Sequence, residues 1–441
     1  MKILLISSNL CKEPYAVYPL GISVIAGALA EAGHTVKQYD IAVHGLEHLP
    51  ETLRGFAPDA VGIGIRNLDT VDSRSNVKHF LDAPQTVIQC VRRHAPEAPV
   101  ILGGSGFSLL PDLLMRRFGA DYGIVGEGET AILSLIGELE QGKRPSKRLF
   151  FGIAGRQAAP LYSDELLSEY AKETHILPVQ TKRGCPLGCL YCTYPALEGR
   201  EIRMRAPGEV ADQLEQLAEQ YADCMIHFVD AVFNDPERNY HRLLKEMERR
   251  SFSVPFAAFL TPLGTTENDL DLLCSRGLIM AELGMDGTTD ETLRGLGKNF
   301  RFAEAETLCR QLKERGVAVT ANVLFGGPGE TWDSVRNGIR NLISLEPIPA
   351  LIFSGVRLLP SAPLTLLAER QGLLPADWDG SQEYYYYAPG LRPERLHEIL
   401  TEGFSGHPHC IYPPGKYEAQ VKALHRFGYR NYRNLAEGER T

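Results

Sequence analysis

Short apolar runs alternate with amphipathic helical stretches through most of this chain of 441 residues. This alternation predicts parallel sheets covered by helices, because two parallel neighbours need a crossover connection between them. In the first block a helix is expected over residues 20–32, ended by Gly33. The strand candidates of this block are KILLIS, HTVKQYDI, AVGIGIR, PVILGG and YGIVGEG.

A second alternating block begins near His175. Six strand-like runs separated by five helical stretches predict an incomplete parallel barrel. The whole is therefore expected to be an α/β protein. It comprises a doubly wound, Rossmann-like domain (1–145), a linker (146–174), a partial (β/α)6 TIM-type barrel (175–365) and a small C-terminal domain (366–441). The strand candidates of the barrel are ILPVQTKR, MIHFVD, PFAAFLTP, LIMAELGM, AVTANVLFG and ALIFSGVRLLP.

Composition excludes several classes of protein. The formal charge of -9 and the lack of clustered Lys and Arg argue against a nucleic-acid partner. No apolar run is long enough to span a bilayer, and the first residues are typical of a buried strand rather than a signal peptide. We therefore expect a cytoplasmic protein that acts on a small-molecule or lipid-like substrate.

The segment TKRGCPLGCLYCTYP brings three thiols together on a loop that follows a strand. The thiolates of Cys185, Cys189 and Cys192 are soft ligands of the kind that iron-sulfur clusters and zinc require. A zinc site usually takes its four ligands from two CxxC pairs, and the sequence has no second CxxC pair. Three thiolates suit a 4Fe-4S cluster and leave one iron without a protein ligand.

This CxxxCxxC loop, with Tyr191 just before the last Cys, resembles the signature of the radical S-adenosylmethionine (SAM) superfamily. The resemblance extends over the whole second block and implies that SAM binds the open iron. It also implies that reduction of the cluster cleaves SAM to methionine and a 5′-deoxyadenosyl radical.

Three further residues are expected to contact SAM through this resemblance. ELGMDG is similar to a family element on the fourth strand and makes Glu282 a candidate. NVLFGGPGET is similar to the element on the fifth strand, where Asn322 would lie near the adenine. The family's GGE tripeptide is absent and HFVDAVFN stands in its place, so Asp230 would receive the amino group. The alternative for Asp230 and Glu282 is a satisfied salt bridge or cap at a strand end.

The first block resembles the cobalamin-binding domain that precedes the barrel in one large radical SAM subgroup. The similar segments are PLGISVIAGALAEAGHTV and GGSGFSLLPDLLMRRFGADYGIVGEGE. The corrin or its nucleotide tail is expected to approach the small residues at strand ends, although GGSG is equally typical of a tight turn. His44 follows Asp40 at a spacing unlike the family's cobalt-ligating DxHxxG, so we expect a surface role for it. The predicted contacts are Gly103, Gly104, Ser105, Gly126 and Glu127.

The two resemblances together imply cobalamin-dependent methylation of an unactivated carbon, with SAM as both radical source and methyl donor. An electron donor such as a flavodoxin or ferredoxin would reduce the cluster. The alternatives are a cobalamin-assisted rearrangement, cyclisation or sulfur insertion, or a protein that senses cobalamin or SAM without catalysis.

The C-terminal region is expected to close the barrel mouth. Its aromatic run at residues 384–387 is typical of core packing and could also line a substrate pocket. For Cys410 we favour a buried packing role over hydrogen-atom donation.

Overall fold

The computed structural model describes residues 1–12, 15–75, 80–155, 157–345 and 347–415. Its first sheet is parallel throughout, with the strand order β2-β1-β3-β4-β5-β6. The strands are β1 (Lys2–Ser7), β2 (Thr35–Asp40), β3 (Ala60–Gly64), β4 (Val100–Gly103), β5 (Tyr122–Val125) and β6 (Leu149–Phe151). The helices are α1 (Leu20–Glu31), α2 (Ile41–His44), α3 (Leu49–Phe56), α4 (Asp82–His94), α5 (Ser105–Leu109), α6 (Pro111–Phe118) and α7 (Gly128–Glu140).

The strand order reverses direction at β1, which lies between β2 and β3. In doubly wound sheets ligands bind beyond the carboxyl ends of the strands at such a switch point. Two apolar clusters, one on each face of the sheet, cover it: Leu4, Ile6 and Val61 belong to one, and Ile3 and Leu5 to the other. The doubly wound architecture predicted from the alternation is confirmed.

The second sheet has the order β17-β14-β13-β12-β11-β10-β7, again parallel, with helices outside. Its elements start with α8 (Asp164–Thr174), β7 (Ile176–Val179), β8 (Lys182–Arg183), α9 (Tyr194–Glu198), β9 (Arg203–Met204), α10 (Pro207–Gln220), β10 (Met225–Phe228), α11 (His241–Arg249) and β11 (Phe256–Leu260). They continue with α12 (Glu267–Ser275), β12 (Leu278–Asp286), α13 (Asp290–Gly295), α14 (Phe302–Glu314), β13 (Ala318–Phe325), α15 (Trp332–Ser344) and β14 (Ala350–Ser354). The last ones are β15 (Val356–Arg357), α16 (Pro363–Arg370), β16 (Tyr385–Tyr386), α17 (Pro393–Gly403) and β17 (Cys410–Ile411).

Two segments differ from the expectations. The interval 146–174 was expected to be an irregular linker, yet it contains β6, which pairs with β5, and helix α8. The barrel has a seventh strand, β17, which pairs with β14. Both strands are three residues or shorter, too short to show a period in the sequence. The part of the C-terminal region from 416 to 441 lies outside the described residues.

Alternation along the barrel strands separates two environments. Residues such as Phe228, Phe256 and Phe325 are fully buried beneath the helices. The intervening positions face the inside of the barrel, and several of them are only half-buried, including Phe259 and Asn322. The barrel interior is therefore a space lined by apolar and polar side chains together. Among the described residues, no helix is long and apolar enough to cross a bilayer.

Candidate functional site

The cysteine loop begins directly after β8, and its backbone is fixed at both ends. Gly184 has φ +92°, and a Cβ there would collide with the carbonyl oxygen of Glu201. The Cys185 amide donates to the Gly199 carbonyl at 3.1 Å, and the Cys192 amide donates to that of Cys189 at 3.2 Å. These hydrogen bonds order the backbone at the first and last cysteines of the loop.

The three thiols of the loop lie near one another. Cys185 and Cys189 lie close enough to Cys192 to act on it electrostatically, although burial is the main reason that its pKa is raised to about 12. No group of three His, Cys, Asp or Glu side chains in the described part of the chain is arranged to hold one metal ion. A four-iron cluster bonds each thiolate to a different iron, so its ligands need not meet at one point. The arrangement therefore fits a cluster held by three thiolates.

The loop is docked on the carboxyl end of β12. The Tyr191 hydroxyl donates to Oδ2 of Asp286 at 2.6 Å, and Lys298 forms an ion pair with the same carboxylate. Asp286 has φ +58°, a conformation that costs energy in a residue other than Gly. Burial alone would lower the pKa of Lys298, but the neighbouring Asp286 and Cys189 raise it above its usual value. Tyr191 thus attaches the cysteine loop to strand β12 of the barrel. Its contact with SAM stays a prediction.

Asp230 has its oxygens engaged within the protein. Its Oδ1 accepts the amides of Thr181 (2.7 Å) and Lys182 (3.2 Å), and its Oδ2 accepts the Thr181 hydroxyl at 2.5 Å. Lys182 Nζ lies 3.6 Å from Oδ2, and both side chains are at most 1% exposed. These contacts favour the alternative role, in which Asp230 secures the strand that leads into the cysteine loop. The predicted contact with the SAM amino group would require part of this network to open.

Glu282 and Asn322 lie on the interior face of the barrel. Residue 322 pairs in register with Gly284, two positions along β12 from Glu282. Glu282 Oε1 lies 3.4 Å from Nε2 of His227 on β10, whose Nδ1 lies 3.2 Å from the Tyr15 hydroxyl. Burial raises the pKa of Glu282 to about 7 and lowers that of His227 to about 4. The barrel thus contains an acid and an imidazole that are both disfavoured in their charged forms.

The loop after β13 is held by a carboxylate that the sequence prediction did not single out. Both Gly326 and Gly327 donate backbone hydrogen bonds to Glu330, which is 3% exposed. Burial raises the pKa of Glu330 to about 8. Glu330 therefore shapes the loop next to Asn322 from within the protein.

In the first domain, the glycines of the GGSG turn have a packing reason. A Cβ on Gly104 would lie 2.6 Å from the Ile65 carbonyl oxygen, and one on Gly106 would lie 2.8 Å from that of Arg66. Ser105 donates its hydroxyl to the same Arg66 carbonyl at 3.1 Å. Gly103 has more room, with its nearest neighbour 3.8 Å away. Packing against the chain itself thus explains the glycine at position 104, and its contact with cobalamin stays a prediction.

Glu127 contacts the other domain. Its carboxylate accepts from Arg203 (Nη1 to Oε2, 2.8 Å) and from Arg183 (Nη1 to Oε2, 3.2 Å). Arg183 also lies 2.8 Å from Glu129. Gly126, with φ +78°, faces the Leu197 carbonyl of α9. Glu127 therefore forms ion pairs with residues next to the cysteine loop, and its contact with cobalamin stays a prediction.

His44 is stacked on Tyr39, with ring centroids 4.6 Å apart, and its Nε2 lies 3.4 Å from Glu165. The side chain is 17% exposed, less than the predicted surface role implied, because α8 packs beside it. These contacts do not suggest cobalt ligation.

In the aromatic run, Tyr386 is 1% exposed and belongs to the core, whereas the ring of Tyr387 lies against Gly355. Cys410 is buried in the barrel's apolar cluster, in keeping with a packing role.

The structure therefore brings together residues from both blocks that the sequence placed far apart. The cysteine loop, Tyr191 and Asp286 form one group, and Glu282, His227 and Tyr15 form another inside the barrel. Sequence reasoning missed Asp286, His227 and Arg183. Asp286 ends a strand with a charged residue, a signal that could have identified it, whereas His227 within MIHFVD gave no such signal.

Comparisons with known proteins agree with this arrangement. A family model described as the B12 binding domain matches residues 10–136, and one described as the Radical SAM superfamily matches residues 179–341. Tryptophan 2-C-methyltransferase from Streptomyces laurentii is 27% identical over 81% of this chain and 73% of its own length. Hopanoid C-2 methylase from Rhodopseudomonas palustris (strain TIE-1) is 25% identical over 65% of this chain and 55% of its own.

Among solved structures, the fold is similar to that of the radical SAM methyltransferase TsrM from Kitasatospora setae, whose structure holds cobalamin and a [4Fe-4S] cluster. The TM-score is 0.83 at 24% identity, covering 98% of this chain and 96% of that one. A B12-binding domain is thus joined to a radical SAM domain, with the cysteine loop at their contact. The chain therefore combines a B12-binding domain with a domain of the radical SAM superfamily, and the cofactors of this combination are cobalamin, SAM and a 4Fe-4S cluster.

Proposed function

We propose that this enzyme cleaves SAM reductively at the cluster and methylates a carbon of a small organic substrate through cobalamin. The observation that carries the proposal is the position of the cysteine loop. Arg183, just before it, is paired with Glu127 of the B12-binding domain, and α9, just after it, packs against α5 of that domain. Two cofactors bound at these places would share one cavity, as methyl transfer between them and a substrate requires.

The chain's own residues hold this geometry in place. Cys185, Cys189 and Cys192 would bind the cluster, and Tyr191 and Lys298 would keep the loop on β12 through Asp286. The cofactors would supply the reactive radical and the methyl group. The protein's contribution would be orientation and the exclusion of water.

The substrate class that we propose first is a small aromatic compound of the tryptophan type. The half-buried residues inside the barrel include Phe259, Leu324 and Phe353, which offer apolar surface to a flat ring. A relative that matches 81% of this chain is named for tryptophan methylation. A lipid-like substrate is the second candidate, because another relative is named for hopanoid methylation. Both names support methylation over a rearrangement, cyclisation or sulfur insertion.

Some expectations from the sequence remain proposals. An electron donor such as a flavodoxin or ferredoxin would reduce the cluster, and the protein would act in the cytoplasm. The division into functional units at residues 145, 174 and 365 is also proposed. Strand β6, within the interval 146–174, pairs with the first sheet.

The test is anaerobic reconstitution of the full chain with iron, sulfide and hydroxocobalamin, followed by metal analysis and assays with SAM and tryptophan. Methylated product together with S-adenosylhomocysteine and 5′-deoxyadenosine would support the proposal in full. Methylated product without 5′-deoxyadenosine would contradict the reductive cleavage. Product from a lipid but not from tryptophan would move the substrate to the second class. A protein that binds iron without cobalt would refute methyl transfer through cobalamin.

A further inference from the structure

A group of charged side chains surrounds the start of the cysteine loop. Arg183 and Arg203 lie on the two strands of the β8-β9 hairpin, with Arg183 two residues before Cys185. Their carboxylate partners in the other domain are Glu127, in the turn after β5, and Glu129, in the first turn of α7. The guanidinium of Arg203 also donates to the carbonyl of Glu198, at the end of the helix that follows the loop. One cluster of charges thus touches both flanks of the loop.

This cluster is largely shielded from water. The side chains of Arg183 and Glu127 are each 10% exposed, and that of Glu129 is 8% exposed. Buried charges cannot exchange a lost partner for solvent at low cost. A movement of the β5-α7 turn would therefore be transmitted to Arg183 and Arg203 instead of being absorbed by water.

The second flank of the loop rests on the same domain. Helix α9 starts two residues after Cys192. It packs against α5, the helix that begins within the GGSG turn. The Leu197 carbonyl of α9 lies 3.8 Å from the position of a Cβ on Gly126. The two turns expected to border cobalamin thus hold the two ends of the segment expected to bind the cluster.

We infer that Glu127 is a positioning residue that couples cobalamin binding in the first domain to the cysteine loop in the second. This inference rests on the proposed function, because it takes cobalamin to bind beside the β5-α7 turn. Coupling between two sites is reciprocal, so a loop ordered by the cluster favours the cobalamin-binding form of the turn. Cobalamin then binds more tightly to the cluster-loaded chain than to the chain without a cluster.

The experiment is a titration of the full-length chain with hydroxocobalamin, followed by absorbance, with and without reconstituted cluster. Circular dichroism of the cluster-free chain first verifies that it is folded. In the unmodified protein the two dissociation constants should differ by about 5-fold or more, the lower end of ordinary coupling between sites. In Glu127→Gln, which keeps the shape and removes the charge, the ratio should fall towards one.

A matched control is Glu246→Gln. Glu246 also accepts hydrogen bonds from two arginines, Arg249 and Arg250, but it lies on α11 at the outside of the barrel. This variant should keep the ratio of the unmodified protein. Arg203→Lys is a second test, because it weakens the network from the barrel side without changing a residue expected to border cobalamin. Its ratio should be intermediate.

The outcomes separate the inference from the proposed function. A ratio of one in the unmodified protein, or an unchanged ratio in Glu127→Gln, overturns the coupling and leaves the methyltransferase proposal intact. A chain that binds no cobalamin in either state refutes both. If Glu127→Gln fails to fold, Arg203→Lys decides: an unchanged ratio overturns the inference and a reduced ratio supports it.

Discussion

Arg357 Nε lies 2.8 Å from Oδ2 of Asp69, and their side chains, 6% and 5% exposed, form an ion pair that joins the two domains. Asp69 belongs to the loop that follows β3, and Arg357 to the short strand after β14. In the same loop, Ser73 donates its hydroxyl to the Ser354 carbonyl. The loop of residues 66–75 is therefore fastened to the barrel.

Replacing Asp69 with Asn should destabilise the docking of the domains. Asn can still accept the Val71 amide that now donates to Asp69 at 2.9 Å, but Arg357 would be left buried without a counter-charge. Breaking one side of a buried pair costs about 3–5 kcal/mol. Scanning calorimetry should show a lower unfolding temperature. Glu398→Gln, at an exposed pair with Arg395, should change stability by less than about 1 kcal/mol. Equal effects of the two changes would contradict this prediction.

Glu282 and His227, inside the barrel, should have opposite effects on the pH dependence of stability that cancel in the unmodified protein. The pKa of Glu282 is raised from 4.5 to about 7, so its contribution to stability is lost as pH rises through that window. The pKa of His227 is lowered from 6.5 to about 4, so its contribution is lost as pH falls through the second window. Each amounts to about 3 kcal/mol. Between pH 4.5 and 6.5, the ordinary pKa values of the two residues, the two slopes of stability against pH cancel. This holds whichever of the two residues carries the proton in the folded state.

Single variants should reveal the two slopes. Denaturant unfolding between pH 4.5 and 6.5 should show stability rising with pH in Glu282→Gln, relative to the unmodified protein, and falling in His227→Asn. Asn can preserve the contact that Nδ1 makes with Tyr15. Parallel curves for all three proteins would show that the pair does not titrate as its burial implies.

Gly184→Ala should disrupt the cysteine loop. The change combines an unfavourable φ of +92° with a clash against the Glu201 carbonyl. Gly33→Ala is a matched control, because its φ is +84° while no atom lies within 4 Å of the new Cβ. We expect the control to lose about 1 kcal/mol and to reconstitute its cluster normally. Gly184→Ala should lose more stability and take up less iron. Similar iron contents would argue against a steric role.

Cys185→Ala should abolish the cluster, since two thiolates would remain for it. Cys274→Ala removes a half-buried thiol on helix α12 and should leave iron uptake unchanged. Iron and sulfide analysis after anaerobic reconstitution measures both. A full complement of iron in Cys185→Ala would exclude this residue as a ligand.

Much of the fold could be predicted because its signals are local. The runs KILLIS and LIMAELGM show their buried faces directly, and Gly33 ends α1 as expected. Strands β6 and β17 could not be found in this way, because their pairing depends on neighbours distant in sequence. Helix α8 is a different case, because its N-cap Ser163 and its amphipathic pattern are local signals that could have identified it within the expected linker.

The site was predictable only in part for a related reason. Cysteine spacing identifies a metal loop without reference to the rest of the chain. The partners of Asp230 and Glu127 come from other elements, up to 76 residues away in the case of Arg203. Sequence position therefore singled out both carboxylates but could not show which side chains they contact.

The two-residue strand β17 (Cys410–Ile411) affects the tendency of the protein to self-associate in solution. It covers the edge of β14 at Ala350 and Leu351, where the Ala350 amide donates to the His409 carbonyl at 2.8 Å. An uncovered strand edge is a template for pairing with another molecule. A chain cut before His407 would expose that edge of β14. We expect such a chain to self-associate while its barrel stays folded.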